Sequence, residues 1–118
     1  MARWCDIEAA EPELARAARD LFDRNKHKVL ATLRRDGSPR LSGIETEFTD
    51  GEVWLGMMSD SRKARDLRRD PRLALHTAVV MPSDDPSGWP GDAKLAGRAE
   101  EVSDPSVLAR FAEGDSTP

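Results

Sequence analysis

The stretch "HKVLATLRRDGSPRLSGIETEF", His27 to Phe48, decides the fold of this chain. Apolar and polar residues alternate on both sides of Asp36-Gly37-Ser38-Pro39, which is the pattern of two half-buried strands. Asp-Gly between such runs is a strong signal for a tight β-turn. The stretch therefore predicts an antiparallel hairpin with strands near Lys28–Arg34 and Arg40–Phe48.

Three more strands are predicted after the hairpin. A turn at Thr49–Gly51 leads into "EVWLGMM", Glu52–Met58, which predicts the third strand. The apolar run Leu73–Val80 predicts a buried fourth strand, and "AKLAGRAEEVSD", Ala93–Asp104, predicts a fifth. Between the last two, Met81–Asp92 holds three prolines, two glycines and three aspartates and is predicted to be a loop.

Helical periodicity is confined to short segments, predicted at 11–25, from Ser61 to Leu67, and at 105–113. The predicted apolar face of the first helix consists of Leu14, Ala17, Ala18, Leu21 and Phe22. This order of elements predicts one mainly β domain over residues 1–118, an antiparallel barrel of about five to six strands with peripheral helices. No sixth strand is predicted after Gly114, so we expect either that a partner covers the open edge or that the sequence stops short of the natural C-terminus.

The composition limits the classes of function. At 118 residues, with 34% charged residues and a net charge of −4, the chain has room for one modest core. No apolar run could cross a bilayer or serve as a secretory signal, so we expect a cytoplasmic protein. One cysteine, Cys5, and two histidines, His27 and His76, without a known ligand spacing predict neither a disulfide nor a metal site.

Positive charge is concentrated in "SRKARDLRRDPR", Ser61 to Arg72, which holds six of the eighteen Lys and Arg residues. If Ser61 caps a helix, Arg62 and Lys63 lie in its first turn, where the helix dipole disfavours cations. An anion bound to the free amides of that turn would reverse this penalty. Arg62 and Lys63 therefore indicate either a phosphate site or part of a solvated face, and the solvated reading is favoured for Arg65 to Arg72. Nucleic acid is not expected, because no aromatic residue interrupts the stretch.

The order of these motifs resembles the pyridoxamine 5′-phosphate oxidase-like family of flavin-binding split barrels, above all its actinobacterial branch, which uses FMN or the deazaflavin coenzyme F-420. The resemblance rests on "DGSP" in the hairpin, on "SRKA" followed by "L..DPR", and on "AKLAGRAEEVSDP", and it covers roughly Lys28 to Asp104. It implies a split β-barrel of the FMN-binding type that forms a homodimer with the cofactor sites at the interface. It also implies a flavin- or deazaflavin-dependent oxidoreductase that transfers a hydride to a small unsaturated acceptor.

The resemblance carries the family's cofactor contacts onto three places in this chain. The phosphate-binding Arg-Lys pair falls on Arg62 and Lys63, and the flavin ring follows the second strand and the end of the third. The predicted cofactor-binding residues are Ser42, Gly43, Ile44, Gly56, Met57, Met58, Ser61, Arg62 and Lys63, with Glu45 and Thr46 as further candidates. No metal ligand and no catalytic acid or base is predicted.

The chain also departs from the family pattern. Oxidases of pyridoxamine phosphate carry a basic residue where this chain has Ser42, a lysine where it has Glu47, and a C-terminal Trp- and Arg-containing motif after the point where this sequence stops. We therefore do not expect true pyridoxamine phosphate oxidase activity, and the choice between FMN and F-420 stays open. The alternative function is non-catalytic binding of haem or flavin on the same barrel, with His76 as the axial haem ligand.

Overall fold

A computed structural model describes residues 2–79 and 89–112 of the chain. Within these residues one five-stranded antiparallel sheet, in the order β3-β2-β1-β4-β5, carries four helices. The elements are α1 (Trp4–Ala10), α2 (Pro12–Arg24), β1 (Lys28–Leu33), β2 (Pro39–Thr49), β3 (Glu52–Gly56), α3 (Arg62–Arg69), β4 (Arg72–His76), β5 (Lys94–Arg98) and α4 (Pro105–Ala112). The predicted mainly β, antiparallel fold with peripheral helices is confirmed. No helix in the described ranges is long and apolar enough to cross a membrane.

The predicted hairpin is the centre of the sheet. β1 and β2 pair from Lys28↔Ile44 to Leu33↔Pro39, and β1 pairs with β4 on its other side. The turn is held by the Asp36 carboxylate, whose Oδ1 accepts hydrogen bonds from Ser38 N at 2.9 Å and from Ser38 Oγ at 2.6 Å. Local turn chemistry thus fixes the register that alternation in the strands only suggested.

The two faces of the sheet differ in burial because the strand period is two. Leu30, Ile44 and Leu75 point into a core that is closed by Phe22 of α2 and Phe48 of β2. The opposite face is open within the described residues; Val29, Ala31, Leu41, Ala74 and Ala96 form its apolar part, and His76 and Lys94 lie at its end. Leu41, at the centre of this open face, is 72% exposed.

Three predicted strands are longer in the sequence interpretation than in the structure. β3 ends at Gly56, because its pairing with β2 stops at Glu45↔Gly56 although β2 itself continues to Pro39. β4 ends at His76 instead of Val80, and β5 ends at Arg98 instead of Asp104, where pairing with β4 stops. Val80 and most of the predicted loop, residues 81–88, lie outside the described residues, as does the predicted helix end after residue 112.

Helix α1 was not predicted, and it changes the packing of α2. Trp4 of α1 is buried and packs edge-on against Phe48, with 4.9 Å between the ring centroids. Ala15 and Phe22 are the buried residues of α2. The prediction that Leu14 and Ala17 face the core is therefore wrong, and Leu14 is 66% exposed.

Candidate functional site

The first turn of α3 has the free donors that a phosphate site needs. Ser61 caps the helix as predicted, since its Oγ accepts a hydrogen bond from Ala64 N at 3.2 Å. The amides of Arg62 and Lys63 precede Ala64 and find no acceptor among residues 2–79 and 89–112. No acidic residue lies in this turn, and Arg62 is exposed. The turn therefore combines two free amides with two cations and no compensating carboxylate.

Lys63 joins this turn to the second strand. Its Nζ donates a hydrogen bond to the Gly43 carbonyl oxygen at 3.0 Å. That carbonyl is accessible because β3 pairs with β2 only from Glu45 onward, which leaves the preceding part of β2 without a strand on the side away from β1. An ammonium group carries three N–H donors, so Lys63 keeps two for a ligand.

Gly56, at the end of β3, lies at the same open edge of β2 as Gly43. It pairs with Glu45 of β2, two residues beyond Gly43. A methyl group built on either glycine meets no atom within 4 Å, so both backbones border open space where a flat ligand could approach. Met58, just after β3, is 76% exposed beside this edge. The three places that the resemblance selected therefore adjoin in space.

Not every predicted residue presents its side chain there. Ile44 is buried in the core with 4% exposure, so only its backbone reaches the edge. Met57 packs against the same core, and Ser42 lies on the core-facing side of β2. Of the further candidates, Glu45 forms an ion pair with Lys26 at 3.2 Å. Thr46 is half-buried, and its Oγ1 is enclosed with no hydrogen-bond partner among the described residues.

One turn further along α3, Asp66 forms a buried polar cluster that sequence reasoning missed. Its Oδ2 accepts hydrogen bonds from Thr32 Oγ1 at 2.8 Å and from Arg40 Nε at 2.7 Å. Its Oδ1 accepts one from Arg69 Nη2 at 3.0 Å, and the same Nη2 also donates to the Leu33 carbonyl at 2.9 Å. Asp66 is 2% exposed and attaches α3 to the first two strands. The sequence signal was weak: Thr32 lies at an inward position of β1, and Asp66 lies within the basic stretch of α3.

The pKa of Asp66 reflects two opposing effects. Burial alone would raise this pKa, because it removes water from the charged form. The hydrogen bonds from Arg40, Thr32 and Arg69 favour the carboxylate more strongly and lower the pKa to about 2. The carboxylate is therefore ionised throughout the physiological range.

The remaining arginines of the basic stretch largely follow the prediction of pairing with acidic residues. Arg68 Nη2 lies 2.7 Å from Glu101 Oε2, and Arg72 Nη2 lies 2.8 Å from Asp70 Oδ2. Arg69 differs from a solvated side chain because it belongs to the Asp66 cluster. Arg65 is exposed.

His76 lies on the open face of the sheet, at the end of β4. Its Nδ1 is 2.6 Å from the Thr77 carbonyl oxygen, and because a carbonyl only accepts, Nδ1 carries the proton. Its Nε2 is 3.7 Å from Asp92 Oδ2. No group of three or more His, Cys, Asp or Glu residues arranged for a metal ion occurs in the described part of the chain.

Solved structures with the same fold include proteins of different function. A haem-binding protein from Mycobacterium smegmatis matches with a TM-score of 0.62 and 26% identity over 81% of this chain and 39% of its own length. A conserved hypothetical protein from Mycobacterium tuberculosis matches with a TM-score of 0.62 and 31% identity over 85% of this chain and 57% of that one. An F420 reductase matches with a TM-score of 0.59 and 24% identity over 82% and 73% of the two chains. This chain therefore spans well under half the length of the haem-binding protein.

The split-barrel fold of these structures confirms the fold predicted from the motifs. A family model described as pyridoxamine 5′-phosphate oxidase matches residues 14–116, which is most of the sequence. The reported proteins that share this fold thus include one named as an F420 reductase and one named as a haem-binding protein. On the match of the family model, the chain belongs to the pyridoxamine 5′-phosphate oxidase family.

Proposed function

We propose that the chain binds FMN or coenzyme F-420 noncovalently and acts as an oxidoreductase on a small unsaturated acceptor. The observation that carries the proposal is the hydrogen bond from Lys63 Nζ to the Gly43 carbonyl. This hydrogen bond joins the cationic first turn of α3 to the open edge of β2. The proposed phosphate site and the flat backbone surface therefore adjoin each other. A phosphorylated, planar cofactor has that combination of groups.

The residues present fit such a cofactor. The free amides of Arg62 and Lys63 and the two spare Nζ donors suit a phosphate, because backbone amides at a helix start and a point charge act together on the same anion. The glycine backbones of Gly43 and Gly56 suit the ring, since no side chain blocks them. When bound, the flavin or deazaflavin supplies the redox chemistry, while the protein orients it.

The chain's own contribution is binding and orientation. Arg62 and Lys63 neutralise the phosphate, and Ser61 keeps the helix start folded so that the amides point outward. The Gly43 carbonyl holds Lys63 toward the ring-binding edge. Among residues 2–79 and 89–112, no nucleophile paired with a base was identified beside these residues, so the chemistry is assigned to the cofactor.

The test is cofactor titration of a Lys63→Ala variant against a matched Arg65→Ala control. Arg65 is exposed on the same helix and carries the same charge, whereas Arg69 is unsuitable as a control because it holds Asp66. Loss of a charged donor to phosphate is worth about 1.5–3 kcal/mol, or roughly ten- to a hundredfold in affinity. We expect Lys63→Ala to weaken the tighter of the two cofactors by that factor and Arg65→Ala to leave it nearly unchanged. Equal affinities in Lys63→Ala and the parent would refute the assignment.

We also propose that the chain forms a homodimer through the open face of the sheet. Leu41 is 72% exposed at its centre, and Val29, Ala31 and Ala74 surround it. A flat apolar face of this kind is costly in water, and a second copy offers the same surface. Leu41→Glu should convert the dimer to monomer in light scattering, while Leu14→Glu, on an equally exposed leucine of α2, should not. A parent that is monomeric at micromolar concentration contradicts this proposal.

Haem binding is the second candidate function, and the position of His76 favours it. The proton on Nδ1 is fixed by the Thr77 carbonyl, which leaves Nε2 as the atom that could coordinate iron. Asp92 stands close to that nitrogen and would have to move aside. A Soret band that appears on addition of haem and disappears in His76→Ala would support haem binding over the flavin proposal. Absence of the band in the parent would exclude it.

A further inference from the structure

A second concave surface lies beyond the proposed phosphate site, between the β1–β2 turn and the second half of α3. It is a shallow depression that is largely open to solvent, and it is lined by Arg34, Arg35, Asp36, Arg40, Asp66 and Arg69. Four arginines face two aspartates, so its lining carries a net charge of about +2. We propose that this groove, named here the arginine groove, binds an anionic group with several oxygens, a phosphate or a carboxylate.

The uncompensated charge of the Asp66 cluster is the first argument. The side chain of Arg40 is 20% exposed and that of Arg69 is 32% exposed, and both contact the single carboxylate of Asp66, which is 3% exposed. One negative charge therefore faces two cations, of which Arg40 is mostly shielded from water and Arg69 is partly exposed. An excess of positive charge beside a buried carboxylate favours the binding of a further anion.

The fixed orientation of the two guanidinium groups is the second argument. Arg40 uses Nε on Asp66, and Arg69 uses Nη2 on Asp66 and on the Leu33 carbonyl. Each guanidinium has five N–H donors in a rigid plane, so both retain donors with no acceptor among residues 2–79 and 89–112. Asp66 already orients both guanidinium groups. A ligand with paired oxygens would therefore bind with little loss of side-chain conformational entropy.

The rim of the groove adds further charge without adding a competing acceptor. Arg34 and Arg35 are exposed at the start of the turn, and both line the groove. The carboxylate nearest to them, Asp36, is occupied by the amide and hydroxyl of Ser38, and these bonds lower its pKa. Asp66 of the arginine groove lies one helical turn along α3 from Lys63; its ordered arginines are Arg40 of β2 and Arg69 at the last position of α3, whereas the free amides are in the first turn. The inference therefore stands whether or not FMN or F-420 binds.

The test is a titration with inorganic phosphate at constant ionic strength, followed by NMR of the arginine Nε–Hε groups. We expect saturable shifts of the Arg40 and Arg69 signals. The double variant Arg34→Gln/Arg35→Gln keeps the Asp66 cluster intact and should weaken phosphate binding roughly three- to tenfold, the sum of two exposed charges. Arg16→Gln/Arg24→Gln, the same change on exposed positions of α2, should leave it unchanged.

Two sources could supply the anionic group, and a second titration separates them. If phosphate still shifts the Arg40 and Arg69 signals in protein saturated with FMN, the ligand is a separate molecule. If FMN itself shifts these signals and excludes phosphate, the group belongs to the cofactor. Absence of saturable shifts in the free protein, or equal affinity in the Arg34→Gln/Arg35→Gln variant and the parent, would overturn the proposal. If neither FMN nor F-420 binds while phosphate does, the proposed function is rejected and the proposed groove is not.

Discussion

The two halves of α3 carry the same kind of side chain in opposite surroundings. In the first turn, Arg62 is exposed and the turn holds no acidic residue. In the second half, Asp66 is buried and accepts charged hydrogen bonds from Arg40 and Arg69. The cations proposed to bind the cofactor therefore have no carboxylate in their own turn, whereas those of the second half are ordered by Asp66, which attaches the helix to the sheet. The difference between the two halves follows from the position of one aspartate and not from the number of arginines.

Removing Asp66 should give the largest effect on stability. Asp66→Ala leaves the mostly buried Arg40 and the partly exposed Arg69 without their shared counter-charge and leaves the Thr32 hydroxyl without its acceptor. Breaking a buried pair in this way costs about 3 kcal/mol of unfolding free energy, measured by urea denaturation. The control Asp70→Ala breaks an exposed pair with Arg72 and should lose far less. Equal losses in the two variants would show that burial does not distinguish the halves of the helix.

The pH dependence of stability also distinguishes the buried Asp66 cluster from the exposed first turn of α3. The folded-state pKa of Asp66 is lowered to about 2, below its ordinary value near 3.8. Its stabilisation is therefore complete above about pH 4 and is lost as the pH falls from 4 toward 2. The full shift corresponds to about 2 kcal/mol, of which the parent loses about 1 kcal/mol between pH 7 and pH 3, and Asp66→Asn, which has no titrating group there, should not show this loss. Urea unfolding of both proteins at pH 7, 4 and 3 measures the difference, and parallel curves would contradict it.

Much of the fold could be predicted because its signals are local. Asp36-Gly37 and the alternation around it determine the central hairpin, and the Ser61 cap determines where α3 begins. The strand ends could not be predicted, because β3 leaves β2 after Gly56 although β2 continues beyond Glu45, and the alternation of residues does not mark where that pairing ends. Helix α1 was missed for a related reason, since its seven residues are held by Trp4 packing on the distant Phe48 and not by their own periodicity.

The candidate site was predictable in part. The positions of Ser61, Arg62 and Lys63 followed from the helix-start pattern, and the resemblance added the glycines of β2 and β3. The buried side chain of Ile44 and the Asp66 cluster depend on which side of a strand or helix meets the core, and that requires the register between elements that are far apart in sequence. The arginine groove depends on the same register, because it combines residues from the hairpin turn with residues from α3.

The smallest effect comes from Ser61, and it separates the helix cap from the ligand site. Ser61→Ala removes the acceptor of the Ala64 amide and should cost about 1 kcal/mol of stability. Ser61→Asp caps equally well and favours the helix dipole, so its stability should match that of the parent. The new carboxylate would nevertheless stand beside Arg62 and Lys63, where it takes the place of a phosphate and repels one. We therefore expect Ser61→Asp to retain the urea midpoint of the parent while weakening cofactor binding more than Ser61→Ala does. A Ser61→Asp protein that binds the cofactor as tightly as the parent would show that no phosphate lies at this end of α3.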